Sequence, residues 1–167
     1  YVPTALTEKN SCGAERRMKI STKGVYAMEI VADLALHAGE EQKESLGNIA
    51  RRRGLSEKYL ERIIKALKEK GIVESVRGAR GGYRLLVPPE QLTARMVLQA
   101  VEGPLAPVGC LTGETDCQMD CNACPTRPLW QEMWDCILDA ADQVTVAHIL
   151  AETKREEKRG IDRTEQI

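Results

Sequence analysis

Hydrophobic side chains in the first third of the chain recur at every third or fourth position, the spacing of a helix that is buried along one side. The first such segment begins at Ser21 or Thr22 and stops before Gly39. Its predicted buried stripe consists of Val25, Met28, Val31 or Ala32, and Ala35. We therefore expect the folded part of the chain to begin with an amphipathic helix.

Two more helices follow, and one glycine separates them. The first runs from Ser45 to Arg53 and is interrupted by Gly54. Ser56 then caps the second, SEKYLERIIKALKEKG. Its predicted buried stripe consists of Leu60, Ile63, Ile64 and Leu67, and its opposite face carries Lys58, Tyr59, Glu61, Arg62, Lys65 and Lys68. Two helices joined by a glycine-containing turn, of which the second is basic on its outer face, are typical of a helix-turn-helix.

Two short β-rich runs, IVESVR and YRLLV, surround the glycine-rich stretch GARGG directly after this helix. The pattern predicts a β-hairpin with Arg80 at its tip and Arg77 beside it. A helix-turn-helix followed by a basic hairpin is a winged helix. The expected fold is therefore mainly α with a small β-hairpin wing, a winged helix-turn-helix followed by a long dimerisation helix.

The second half of the chain contains a long helix with more apolar side chains than one buried face can accommodate. Thr93 caps a short helix over residues 94–101, and Pro125 or Thr126 opens the long helix PTRPLWQEMWDCILDAADQV. Apolar side chains cover more than half of its circumference, so it needs burial on more than one side. We expect a second copy of the chain to supply that burial. The predicted dimer interface consists of Leu129, Trp130, Met133, Trp134, Ile137 and Leu138.

These patterns divide the chain into six parts. Residues 1–17 have no sustained periodicity. They are either a disordered extension or a segment that does not belong to the native protein, whose chain would then start at Met18. The later parts are a winged helix-turn-helix domain (18–87), a connecting helix (88–104), a cysteine segment (105–124) too irregular for a helix or strand, a dimerisation helix with a terminal helix ending near Glu157 (125–157), and a flexible tail (158–167).

Composition and charge narrow the class of protein. The 167 residues are 43% hydrophobic and 29% charged, as in soluble globular proteins. No stretch approaches the roughly 18 apolar residues of a membrane span, and residues 1–17 lack the apolar run of a signal peptide. We therefore expect a cytoplasmic protein without a membrane partner.

The net charge of −1 conceals an asymmetry along the chain. Residues 51–84 contain eleven Lys or Arg and four Glu, whereas residues 85–167 contain fourteen acidic and seven basic side chains. The basic part favours binding to a polyanion such as DNA, although a solvated helix face has the same composition. Arg51 to Arg53, at the end of the shorter helix, contact phosphate or complement that helix's dipole.

Four of the six cysteines lie within fifteen positions, at Cys110, Cys117, Cys121 and Cys124. In a reducing compartment such thiols are metal ligands or redox groups more often than structural disulfides. Spacing alone favours an iron–sulfur cluster and a structural zinc site equally, because thiolates suit both.

An enzyme is not predicted, because the chain has only two histidines and no Ser/His/Asp set, P-loop or dinucleotide fingerprint.

The segments MKISTKGVYAMEIVADLA, LSEKYLERIIKALKEKGIVESVRGARGGYRL and CPTRPLW resemble the Rrf2 family of bacterial winged-helix transcriptional regulators, and within it the IscR-like iron–sulfur cluster regulators. The resemblance covers residues 18 to about 150. It implies a homodimeric repressor that binds palindromic double-stranded operator DNA. It also implies a sensor of cluster status, redox state or nitric oxide.

The same resemblance implies particular site residues. The family's cluster, usually 2Fe–2S, would lie on Cys110, Cys117 and Cys124 with one further ligand. Operator contacts would come from Ser56, Lys58, Tyr59, Glu61, Arg62 and Arg77, and Arg80 is the additional wing candidate. Glu61 matches the glutamate that tunes which operator class is recognised.

Two departures from the family pattern concern the cluster. Each gap between the three family cysteines has six residues instead of five, and Arg127 stands where the family has a histidine ligand. A guanidinium has no lone pair to give to a metal. Cys121 is therefore the first candidate for the fourth ligand, followed by His148, His37 or a small thiol. Zinc at this site, or a regulator that senses oxidants through thiols without any cofactor, is the alternative.

Overall fold

The computed structural model describes residues 20–38, 43–78, 81–113 and 119–164, with side chains described up to residue 155. Within these ranges the elements are α1 (Thr22–His37), α2 (Leu46–Arg53), α3 (Glu57–Glu69), β1 (Val73–Val76), β2 (Gly82–Leu85), α4 (Ala94–Glu102), a 3-10 turn (Gly109–Leu111), α5 (Arg127–Gln143) and α6 (Val146–Thr164). The predicted fold class, mainly α with one β-hairpin wing, is confirmed.

The core is formed where α1, α2 and α3 meet the first strand and α4. The stripe predicted for α3 is confirmed, because Leu60, Ile63, Ile64 and Leu67 are all buried. The predicted helix starts are confirmed as well. Ser21, Ser45, Ser56 and Thr93 each accept a hydrogen bond from a backbone N–H in the first turn of the helix that follows.

The stripe predicted for α1 is confirmed only in part, because Val31 is buried and Met28 and Ala35 pack against the core, but the buried face is rotated away from Val25. The buried face of α1 consists of Gly24, Ala27, Ile30, Val31, Asp33 and Leu34, while Val25 is 47% exposed. Gly24 explains the difference, because α4 approaches the helix at this residue. A Cβ there would lie 3.2 Å from Leu98 Cδ2 and 2.5 Å from Glu102 Oε1. Close packing on a residue without a side chain cannot be deduced from hydrophobic spacing.

The wing is a two-stranded antiparallel hairpin with a short third partner. Its strands pair in the register Val73↔Leu85, Glu74↔Arg84, Ser75↔Tyr83 and Val76↔Gly82. The backbone of Glu44 exchanges two hydrogen bonds with Tyr83, at 3.0 and 2.8 Å. Gly82 permits this approach, since a Cβ there would lie 2.5 Å from the carbonyl oxygen of Glu44. The wing is thus attached to the segment that precedes α2.

A buried carboxylate joins α1 to α2. Asp33 is fully buried and accepts two hydrogen bonds from Arg52, at 2.6 and 3.0 Å, while Arg53 Nε lies 3.2 Å from it. Arg52 also donates to Glu44 at 2.5 Å, and its hydrogen bonds to the carboxylates of Asp33 and Glu44 raise the pKa of Arg52. Sequence analysis did not anticipate these ion pairs of Arg52 and Arg53 with Asp33, and a phosphate or helix-dipole role of Arg51 to Arg53 stays a prediction.

The C-terminal helices differ from expectation at their ends. Thr93 pairs with Thr145 in an isolated β-bridge, which brings the start of α4 against the start of α6. The latter helix extends to Thr164, beyond the predicted end near Glu157, because its Lys, Arg and Glu residues are good helix formers. The cysteine segment contains one 3-10 turn, where no helix was predicted. No helix among the described residues is long and apolar enough to cross a membrane.

Candidate DNA-binding surface and cysteine segment

The outer face of α3 is fixed by its buried stripe. With Leu60, Ile63, Ile64 and Leu67 in the core, the side chains between them must point away from it. Lys58, Glu61 and Arg62 are exposed, as the sequence predicts for residues that contact DNA. Ser56 is exposed too, but its hydroxyl already accepts a hydrogen bond from the backbone N–H of Tyr59.

Tyr59 has contacts on both sides of the recognition helix. Its ring is half-buried and packs edge-on against Tyr26, with the ring centroids 5.8 Å apart. The guanidinium of Arg62 lies 5.9 Å from the centroid of the Tyr59 ring, within the range of a cation–π contact. Tyr59, which the sequence predicts on the outer face of α3, therefore also packs against the core and supports Arg62.

The wing presents Arg77 to solvent directly after β1. Arg80, the other predicted wing contact, lies outside the described residues. Two further cations of this region have structural partners. Arg84 forms an ion pair with Glu74 across the hairpin, and Lys68 donates to Ser75 Oγ at 2.8 Å, which ties α3 to β1.

The described cysteines lie at the two ends of the cysteine segment. Cys110 is half-buried in the 3-10 turn, Cys124 is half-buried shortly before α5, and Cys121 is exposed between them. Cys117 lies outside the described residues. Among the residues that are described, no three His, Cys, Asp or Glu side chains are grouped closely enough to hold a metal ion. Cys136, on α5, is exposed in the single chain.

Cys124 has an environment that favours its thiolate form. The hydroxyl of Thr126 lies 3.4 Å from the sulfur. This hydroxyl, the backbone N–H groups of Thr126 and Arg127, and the Arg127 charge hold the pKa of Cys124 below the ordinary thiol value. Arg127 stands where a histidine ligand is expected, and here it stabilises a neighbouring thiolate instead. A thiolate is the form that binds soft metals and that reacts with oxidants.

A winged helix whose recognition helix carries an exposed basic face defines a DNA-binding protein of the transcription-regulator class. Comparisons with known proteins agree with this class. The family model Rrf2, described as an iron-dependent transcriptional regulator, matches residues 20–152. The chain belongs to the Rrf2 family, so it is a DNA-binding transcriptional regulator and not an enzyme.

The curated relatives cover two kinds of regulator. The transcriptional regulator CymR of Bacillus subtilis is 37% identical over 141 residues, which are 84% of this chain and 96% of that relative. IscR of Aliivibrio salmonicida is 34% identical over 137 residues, or 82% of this chain and 80% of the relative.

Solved structures of CymR and IscR are also similar to this chain. The structure of CymR, described as the global cysteine regulator of B. subtilis, superposes with a TM-score of 0.65 at 35% identity and covers 80% of this chain and 97% of that one. The structure of IscR of T. potens superposes with a TM-score of 0.64 at 35% identity, and it covers 81% of this chain and 88% of that one.

Replacing Glu61 with alanine should relax operator choice without abolishing binding. A carboxylate that faces DNA repels phosphate and keeps a base contact only where a cytosine amino group can donate to it. We expect the affinity ratio between preferred and non-preferred operators to fall, measured by fluorescence anisotropy. Glu90→Ala removes the same charge from an exposed loop position and should leave the ratio unchanged. An equal loss of affinity on every operator would instead assign Glu61 a structural role.

Proposed function

We propose that the chain is a homodimeric repressor that binds palindromic operator DNA and senses iron–sulfur cluster status through its cysteine segment. The observation that carries this proposal is the position of the segment in the fold. It joins α4, which packs against α1 and α3 of the DNA-binding half, to α5, which has no buried residue in the single chain. A change in the segment therefore acts on the elements that relate one DNA-binding half to the other.

The donor set fits an iron–sulfur cluster. Cys110, Cys117 and Cys124 would hold it, with Cys121 as the fourth ligand, and soft thiolates are the usual ligands of such clusters. A ligating cysteine must lose its proton, and the lowered pKa of Cys124 favours that step. When bound, the cluster would cross-link this segment. Oxidants, nitric oxide or iron shortage would remove the cluster and with it the cross-link.

The histidines are weaker candidates for the fourth ligand. Nδ1 of His37 lies 2.9 Å from the carbonyl oxygen of Asp33, on the α1–α2 side of the DNA-binding half. His148 is exposed on α6. Zinc on the same cysteines remains the alternative metal, and it would serve as a structural clip without a redox response.

Charge explains how the thiols could control the segment. Without a metal, neighbouring thiolates repel one another and the acidic C-terminal half, in which fourteen acidic side chains face seven basic ones between residues 85 and 167. A bound cluster would neutralise part of that charge and tie Cys110 to the start of α5. A resulting difference of about 1.4 kcal/mol in operator binding would change affinity tenfold.

A second candidate function is supported by one observation. Cys124 is accessible and has a lowered thiol pKa, the properties of a thiol that reacts with oxidants directly. A solved structure of Staphylococcus aureus CymR, 32% identical to this chain, is described as its oxidized form, and this similarity also supports a regulator that senses thiol oxidation without a cofactor. In that case disulfide or sulfenic acid formation on the cysteine segment would change operator affinity.

A series of cysteine substitutions under anaerobic reconstitution with iron and sulfide separates these functions. Cys110→Ala, Cys117→Ala and Cys124→Ala should each lose the visible absorption of the cluster, because each removes one ligand. Cys136→Ala is the matched control and should keep it. A loss or strong spectral shift in Cys121→Ala identifies the fourth ligand. Wild-type protein that binds zinc tightly and never retains iron and sulfide would contradict the proposal.

A further inference from the structure

A groove of about 470 Å³ lies between the first turn of α1 and the outer side of α3. We call it the α1–α3 groove. Three cationic side chains, Lys23, Arg62 and Lys65, and one acidic side chain, Glu69, line it. Lys65 and Glu69 lie 3.9 Å apart at its exposed end, so their charges largely offset each other. The remaining charge of the groove comes from Lys23 and Arg62.

Arg62 connects this groove to the face of α3 that reads DNA. Its guanidinium is exposed and rests on the Tyr59 ring, and no carboxylate pairs with it among the described side chains. Lys23 comes from a different helix and approaches from the other side of the groove. An anion that lies between them would contact two elements of the winged helix at once.

The first turn of α1 is held in place by the end of α4. Glu102 accepts hydrogen bonds from the hydroxyl of Ser21, at 2.5 Å, and from its backbone N–H, at 3.2 Å. Lys23 Nζ donates to the carbonyl oxygen of Val101 at 2.7 Å. An ammonium group has three N–H donors, so Lys23 can keep this bond and still donate into the groove.

We propose that the α1–α3 groove binds one backbone phosphate of operator DNA, on Lys23 and Arg62, and that Glu102 positions Lys23 for that contact. The groove carries net positive charge and is continuous with the exposed face of α3, which makes the phosphodiester of a duplex the fitting occupant. Glu102 does not touch DNA in this arrangement. It acts by fixing the turn of α1 from which Lys23 projects.

The salt dependence of operator binding tests the phosphate contact. Lys23→Gln should lower affinity roughly fivefold for operator and unrelated duplex alike and should lower the slope of log Kd against log salt by about 0.9, the value for one lost phosphate contact. Lys23→Arg keeps the charge and should keep the slope. Lys154→Gln removes a charge from α6, outside the groove, and should match wild type. A wild-type slope for Lys23→Gln would overturn the proposal.

Inorganic phosphate distinguishes DNA from a free anion as the occupant. If phosphate at constant ionic strength raises the unfolding temperature of wild type but not of Lys23→Gln, while both proteins share one salt slope for DNA, the groove takes a small anion and the proposal is wrong.

Glu102→Ala gives a test in which the loss of charge and the loss of positioning change DNA affinity in opposite directions. Loss of a negative charge alone should tighten DNA binding, whereas loss of the bond to Ser21 should weaken it because Lys23 is no longer held at the groove. We expect weaker binding, by about threefold or more, and a slope reduced as in Lys23→Gln. A folded variant, shown by its unfolding temperature, that binds DNA as tightly as wild type or more tightly would overturn the positioning role of Glu102.

Discussion

Replacing Asp33 with alanine should lower the free energy of unfolding by about 3 kcal/mol, because the change leaves two arginines at a buried site without their carboxylate. Asp33 is fully buried, and Arg52 and Arg53 both lie within 3.2 Å of it. Both arginines keep partial access to water, since about a third of each side chain is exposed, so the loss should be smaller than for a completely buried pair.

Urea unfolding at neutral pH measures this effect. Asp139→Asn, at an exposed position of α5, is the matched control and should change the free energy of unfolding by less than about 0.5 kcal/mol. Since Arg52 also contacts Glu44, whose backbone pairs with Tyr83, the loss of Asp33 should extend to the wing. Hydrogen exchange at Tyr83 should become faster. If Asp33→Ala were as stable as the control, the ion pairs would contribute nothing to the fold.

Ile137→Glu should prevent the proposed dimerisation through α5 and give monomer or insoluble protein. The helix α5 has no buried residue in the single chain, and Leu129 and Met133 are 52% and 41% exposed. A carboxylate placed in the middle of this stripe would be buried without a partner in the proposed interface, at a cost of several kcal/mol. Because a palindromic operator needs two DNA-binding halves, operator affinity should fall as well.

Sedimentation equilibrium measures the assembly state of this variant. Gln143→Glu adds the same charge at the exposed end of α5 and should remain dimeric. An unchanged, stable dimer for Ile137→Glu would place the interface on another part of the surface.

The DNA-binding half was largely predictable because its signals are local. The four apolar residues of α3 repeat at one spacing, which fixes the rotation of the helix and hence its exposed basic face. The hydroxyl caps at Ser21, Ser45, Ser56 and Thr93 act within one turn, so sequence alone identifies them. The two strands of the wing, which are close along the chain, likewise depend on near neighbours.

The parts that sequence did not predict depend on contacts between distant residues. The rotation of α1 follows from the approach of α4 at Gly24, which lies far from Leu98 and Glu102 along the chain. Asp33 interrupts an apolar helix, and this was the available signal for a buried ion pair, but its partners on α2, Arg52 and Arg53, are nineteen and twenty residues away. The same limit applies to the contacts among Glu102, Ser21 and Lys23.

In the proposed function, the cysteine segment binds an iron–sulfur cluster, and this cluster changes operator affinity. The most direct measurement is the Kd for operator DNA of one anaerobic preparation, taken with the cluster assembled and again after its removal, with iron and sulfide determined each time. We expect iron and sulfide to be bound together, and the two Kd values to differ by about tenfold, equivalent to about 1.4 kcal/mol. Equal Kd values in the two states, or a protein that retains only zinc, would contradict the account.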